Sequence, residues 1–290
     1  MIKTFEQYEQ KPHTFTFMVG IPSGEYFDIT TDQYVKLNRA NLIIYDNQHQ
    51  YFVFQDHNYD KVMDIMLDTE ADKIKLFLQR NNITNYKINN DYTIEVLQNV
   101  EIVTNIRTLP VDFDFVLGNF NISNCELEDL RGCPDVIEGD FICTNNNLID
   151  LRNGPRKVKG MYIVENCGLI NLEGSPDSIG GIFNCGKNEI INLKDGPKKV
   201  GGNYYCDNCL LTDLTGAPID IKGNFDCSYN YLKNLKGGPK TVVGIYDCSN
   251  NDLKGMEGAP SSVHVFKCNG NRDLILDNPP QAIKIISDEK

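Results

Sequence analysis

Ten cysteines, four histidines and a spaced pair of aspartates are the side chains with which this 290-residue chain could bind a metal, form a disulfide or move a proton. All ten cysteines fall between Cys125 and Cys268, and Cys206 and Cys209 have the C-x-x-C spacing of zinc and redox sites. A closed zinc site needs a second such pair, and the sequence has none. His13, His49, His57 and His264 stand in no nucleophile or metal motif, and neither G-x-S-x-G nor a phosphate-binding loop occurs. No catalytic residue, metal ligand or cofactor is assigned, and the chain is read as not an enzyme. Asp226 and Asp247 are carboxylates suited to facing water or a basic partner rather than to holding a cation.

What positions the cysteines is a repeat. Pro134, Pro155, Pro176, Pro197, Pro218, Pro239 and Pro260 follow at intervals of 21 residues, and Pro280 after 20. Three residues after each proline stands a β-branched residue: Ile137, Val158, Ile179, Val200, Ile221, Val242, Val263. Five after, from Gly139 to Gly244, stands glycine. Seven after come Phe141, Tyr162, Phe183, Tyr204, Phe225 and Tyr246, with Phe266 one residue early. Nine after come Cys143, Val164, Cys185, Cys206, Cys227 and Cys248, with Cys268 early again. This alternation is the period-two signal of a short strand with one buried face. Leu148 to Leu253 then recur fourteen after the proline, and Leu130 to Met256 four before the next. A tandem unit of this length makes a solenoid. Its phase places six cysteines at the inward strand position and Cys125, Cys167 and Cys209 in the turn beyond; only Cys133 falls outside. Cys206 and Cys209 belong to different classes, and the cysteines are read as core packing.

The run aromatic-x-Cys-x-x-Asn-x-Leu-x-x-Leu resembles the leucine-rich repeat, its Asn/Cys position being Cys125, Asn146, Cys167, Asn188, Cys209, Asn230, Asn251 and Asn271. An asparagine there can bond backbone groups that the turn leaves unpaired, and a cysteine fills the slot as a weaker donor. The resemblance implies a mixed α/β class: a right-handed leucine-rich-repeat-like solenoid of about eight 21-residue coils with a parallel sheet on one face. The pattern is similar to short bacterial-type repeats and to repeat proteins of tailed phages. So is the lead-in Asn85-Tyr86-Lys87-Ile88-Asn89-Asn90-Asp91 followed by Tyr92-Thr93-Ile94-Glu95-Val96. That likeness implies a fold and an origin, not an activity.

Residues 113–290 are assigned to the solenoid with a C-terminal cap, and residues 84–112 to a transition that caps the first coil. Residues 1–83 carry no repeat and no cysteine. They read as a small α+β domain with strands over 14–19 and 50–54 and a helix starting at Thr31-Asp32. A further helical stretch covers 58–79, continuous or broken near Thr69. A second period of 42 runs through the repeat. Phe and Tyr alternate, and glycine sits alternately two and one before the proline. Asp135, Asp177 and Asp220 alternate with Arg156-Lys157, Lys198-Lys199 and Lys240, so neighbouring coils are expected to form ion pairs.

The net charge of −12 has the wrong sign for general nucleic-acid binding. No apolar run follows the N-terminus, and no stretch has the roughly 20 apolar residues of a membrane span, so a cytoplasmic location is expected, that of the bacterial host if the chain is phage-encoded. The outward strand positions are those that packing leaves open. Ile142, Met161, Ile163 and Ile182 are expected to form one apolar patch, with Asn184, Asn203 and Tyr205 beside it and Asp226 and Asp247 at its acidic end. That face is read as binding a protein partner, of host or phage, with a basic region, inhibition of a host factor being one such use. The alternatives are a structural or assembly component of a particle, and a small N-terminal enzyme whose substrate the solenoid selects. The sequence leaves the oligomeric state open.

Overall fold

A computed structural model describes residues 2–3, 17–20, 26–29, 31–46, 51–53, 61–62 and 69–288. The chain divides into two compact units, Met1–Leu76 and Phe77–Lys290. In the first, β1 (Ile2–Lys3), β2 (Phe17–Gly20), β3 (Tyr26–Ile29), β4 (Ile44–Asp46) and β5 (Tyr51–Val53) form a sheet in the order β1-β3-β2-β5-β4. Among the described residues of this sheet only the β2–β5 pairing is parallel. Helix α1 spans Thr31–Arg39, and Glu70–Arg80 forms α2. Thr69 caps α2, its Oγ1 accepting the Asp72 N–H at 3.2 Å, while residues 58–60 and 63–68 of the expected helical stretch lie outside the described residues. Residues 14–16, 50 and 54, part of the expected strands, lie outside the described residues.

The second unit is a β-solenoid with parallel sheets, about nine turns and coils of about 21 residues. The extra turn relative to the sequence reading comes from Ile94–Val96 and Val100–Glu101, which pair parallel with Phe113–Val116 and Phe120–Asn121 although no proline or glycine marks their coil. Tyr86–Ile88 pairs antiparallel with Ile94–Val96 and closes that edge. Beyond Arg80 the described residues form no helix; the stretch between strands is built from turns.

Each coil contributes two strands of mostly two residues, one holding the β-branched residue and one the aromatic. In-register stacking gives two ladders, Val116-Ile137-Val158-Ile179-Val200 and Phe120-Phe141-Tyr162-Phe183-Tyr204-Phe225-Tyr246. Near the C-terminus the two strands fuse, in Thr241–Asp247 and Ser262–Lys267. The glycine between the strands is a spacing requirement. A Cβ on Gly139, Gly160, Gly223 or Gly244 would overlap the Oδ1 of Asn119, Asp140, Asn203 or Asn224 in the preceding coil. The aromatics form one column through the core, with successive ring centroids 4.7–6.4 Å apart from Phe120 to Phe266. All are fully buried, as are the leucines at the two turn positions from Leu127 to Leu235.

Candidate interaction surface

The residues with the most chemistry in them are core. All ten cysteines are reduced and buried. Burial pushes the Cys143, Cys185, Cys206, Cys227 and Cys248 thiols up, and Cys209 up to about 12, so none is a ready nucleophile. The turn position behaves as one device with two residue types. Asn146 Oδ1 accepts the N–H groups of Cys125 and Leu127, while its Nδ2 donates to the carbonyls of Ile122 and Cys143, at 2.9–3.2 Å. Asn188, Asn230, Asn251 and Asn271 make the same inter-coil donation, to Val164, Cys206, Cys227 and Cys248. In the cysteine coils a thiol replaces the amide: Cys167 Sγ donates to the Cys143 carbonyl at 2.8 Å and Cys209 Sγ to Cys185 at 3.4 Å.

Cys133 also has a place. It stands one before its proline, in the series Cys133, Gly154, Ser175, Gly196, Ala217, Gly238, Ala259. Glycine occurs where the coil carries tyrosine: a Cβ on Gly154, Gly196 or Gly238 would lie 3.2, 3.3 or 2.8 Å from the hydroxyl of Tyr162, Tyr204 or Tyr246. The small side chain and the phenolic oxygen fill the same space. This matching underlies the 42-residue period, and a position-by-position comparison of alternate coils contains the signal.

The sheet-face residues Ile142, Met161, Ile163, Ile182, Asn184, Asn203, Tyr205, Asp226 and Asp247 are all half-buried on the outer side. Register sets Ile142 beside Ile163, then Asn184, Tyr205, Asp226 and Asp247 in one row. Packing does dictate several of these positions, contrary to the sequence reading. In the row six after the proline, Asn99, Asn119, Asp140, Asn203 and Asn224 each accept the N–H of the next coil's equivalent residue at 2.7–2.9 Å. In the row eight after, Asn121, Asn184, Asp226 and Asp247 each accept the N–H two residues on, at 2.9–3.1 Å, and end the strand. Met161, Ile182, Ile142 and Ile163 replace these acceptors with side chains that cannot accept. Asn203 Nδ2 also donates to the Tyr205 hydroxyl at 2.6 Å, fixing that ring on the sheet.

The acidic end is partly engaged. Asp247 pairs with Lys267 at 3.2 Å, and Asp226 accepts the Ser228 hydroxyl at 2.6 Å. Burial raises the Asp226 pKa, and the neighbouring Asp247 and Asp207 carboxylates add to the rise against the Ser228 hydrogen bonds. Of the expected inter-coil ion pairs, Arg156–Asp135 forms, joined by Lys159–Glu138. Among the described residues Lys198, Lys199 and Lys240 have no carboxylate partner; Asp220 instead accepts the Thr241 hydroxyl.

One apolar feature escaped the sequence reading. Ile149, Ile170 and Ile191 stack in neighbouring coils on the turn side and are 59, 51 and 54 % exposed, more than any of the predicted sheet-face residues. Leu210, Tyr229 and Tyr231 are exposed in the two following coils. The signal is an isoleucine directly after the buried residue of the fourteenth position, Leu148, Leu169 and Ile190, three coils running.

The class these features define is a parallel β-solenoid with a polar inter-coil ladder interrupted by an apolar patch. Comparison with family models, with curated proteins and with solved structures finds no match for this chain.

Proposed function

We propose that this chain is a non-catalytic binding module that holds a protein partner on the outer sheet face of its solenoid. The observation that carries this reading is the local departure from the repeat's own rule. Elsewhere the outward positions mostly hold an acceptor, at Asn119, Asn121, Asn203, Asn224, Asp226 and Asp247, with Tyr205, Ile245 and the last coil departing, and each such bond contributes on the order of 1 kcal/mol. Ile142, Met161, Ile163 and Ile182 forgo it in three adjacent coils and present apolar surface instead, flanked by Tyr205. An apolar centre with an aromatic at its side and carboxylates at its rim is the make-up of a partner-binding patch. Asp226 and Asp247 then orient a basic region of the partner. The leucine-rich-repeat resemblance, the likeness to tailed-phage repeat proteins, a bacterial cytoplasmic setting and inhibition of a host factor belong to this reading. Among the described residues no helix is long and apolar enough to cross a membrane.

Affinity capture from bacterial lysate, with wild type against the Ile163→Lys, Tyr205→Glu double variant, tests it. The variant is expected to lose the captured protein while melting within about 2 °C of wild type, since both sites lie outside the core. Capture that survives in a folded variant rules the face out. A second reading, a structural component of an assembly, is favoured by one observation, the exposed Ile149-Ile170-Ile191 ladder. Loss of capture on changing Ile170 to Lys, rather than Ile163, selects it.

A further inference from the structure

Among the described residues the expected ion pairs fail beyond the Arg156–Asp135 pair, and a groove lies beside the unpaired Lys198 and Lys199. Row by row, the residue four after the proline is Glu138, Lys159, Gly180, Gly201, Lys222, Val243 and His264. Two adjacent coils carry glycine in this row, where a Cβ would meet the backbone carbonyl of the coil before, so no side chain stands there. A groove of about 530 Å³ opens there, lined among others by Ser178, Lys198, Lys199, Ile219, Asp220 and Lys222. Lys198, Lys199 and Lys222 are exposed, and among the described residues none has a carboxylate partner. Ile219 beside them is 69 % exposed. Two carboxylates are close in the repeat. Asp220 is on the groove wall, its carboxylate bonded by Thr241, and Asp177 precedes Lys198 in its row. The balance of the lining is still basic, in a chain whose net charge is −12.

We propose that this groove is a second docking site, distinct from the sheet-face patch, and that its occupant is an extended acidic segment of a protein with an apolar residue between its carboxylates. Charge complementarity selects the sign: three unpaired ammonium groups attract carboxylates and repel the basic region proposed for the other face. Dimensions select the form. The groove crosses three coils, two spacings of about 4.8 Å, which about three residues of extended chain span at about 3.3 Å each. Side chains i and i+2 of such a chain point the same way, so two carboxylates reach Lys198 or Lys199 and Lys222. The residue between the two carboxylates points to the opposite side of the segment, so a segment lying edge-on in the groove sets it toward Ile219 while the carboxylates face the lysines.

The test uses the full chain and a fluorescent peptide of about ten residues alternating glutamate and isoleucine, with a lysine–isoleucine peptide as control. Anisotropy titration is expected to show binding of the acidic peptide only. Affinity should fall about tenfold or more in a Lys198→Ser, Lys199→Ser, Lys222→Ser variant, hold when the three become arginine, and weaken with salt. Ile219→Asp gives an independent variant that leaves all three lysines in place and should also weaken binding. The Ile163→Lys, Tyr205→Glu variant should bind the peptide as wild type does, so failure of the sheet-face reading and failure of this one are distinguishable. Equal binding of both peptides, undiminished binding by the serine variant, no binding at all, or tighter binding of inorganic polyphosphate or oligo(dT) than of the peptide each overturns the proposal.

Discussion

At the residue scale, the most constrained positions are those where the backbone turns left-handed. The residue before the Asn/Cys site has positive φ in coil after coil: Asn124, Asn145, Asn166, Lys187, Asn208, Tyr229 and Asn250, at 53–58°. Asparagine tolerates this region, whereas a lysine or a tyrosine pays for its Cβ there. Lys187→Asn and Tyr229→Asn should therefore each stabilise the fold, by about 0.5–1 kcal/mol, read as a rise in urea midpoint at unchanged slope. A loss of stability in both would show that their side chains matter more than their backbone. Asp226 supplies a pH-dependent case. Its folded pKa is raised above the ordinary carboxylate value, burial being the first cause. A folded state that holds its proton more tightly loses stability as pH rises through that window, and the cost is complete above the folded pKa. Asp226→Asn keeps the acceptor for Ser228 and removes the charge. It should melt higher than wild type at pH 7, and the gain should vanish as pH falls below the ordinary aspartate range. A gain that is constant with pH would assign it to something other than the carboxylate.

At the scale of the coil, the aromatic and the residue before the proline act as a pair. Among the described residues the hydroxyls of Tyr162 and Tyr204 are buried without a hydrogen-bond partner, as is Ser175 Oγ. An unmet buried hydroxyl costs about 1–3 kcal/mol, so something must offset it, and filling the space above a glycine does. Tyr204→Phe should cost little, the lost packing balancing the relieved polar group. Gly196→Ala alone should destabilise, since its Cβ meets Leu172 and the Tyr204 hydroxyl. Together they rebuild the phenylalanine-type coil, and a double-mutant cycle should show a favourable coupling of about 0.5–2 kcal/mol. Strict additivity would dissolve the pairing. The solenoid, its period and the inward identity of nine cysteines were legible in the sequence, because burial stamps the same residue type on every coil. The Tyr–Gly pairing was present as a period of 42 but unreadable as a contact, since it joins positions eight apart across a turn. The outward polar rows were misread for a related reason. Asp140 and Asn203 look like free surface residues until the next coil's N–H is placed above them. The turn-side isoleucines were lost among buried neighbours, Ile149 and Ile191 each adjoining an inward residue of like character.

At the scale of the whole solenoid, stability is a sum over neighbouring coils, so the ends are where it is weakest. At one end the antiparallel strand Tyr86–Ile88 covers the edge of one of the two sheets. At the other, Gln281–Ile286 pairs with Ser262–Lys267 on one side and has no strand on its outer side among the described residues. It is among the longest strands of the sheet, and Ile283 on it is 80 % exposed. An outer edge of that length offers unpaired N–H and C=O groups to another chain, and a single charge, Lys284, opposes the apolar surface of Ile283 and Ile285. Two isoleucines with about half a dozen backbone groups outweigh one solvated lysine at high concentration. The chain is therefore expected to associate edge to edge as concentration rises, seen as a growing weight-average mass in sedimentation equilibrium. Ile283→Lys should suppress the growth, as should Ile285→Pro, which removes an N–H from the ladder. The melting temperature of the lysine variant should stay within about 2 °C of wild type because the side chain is outside the core. A wild-type chain that sediments as one species at every concentration would mean that Lys284 alone is enough to guard the edge.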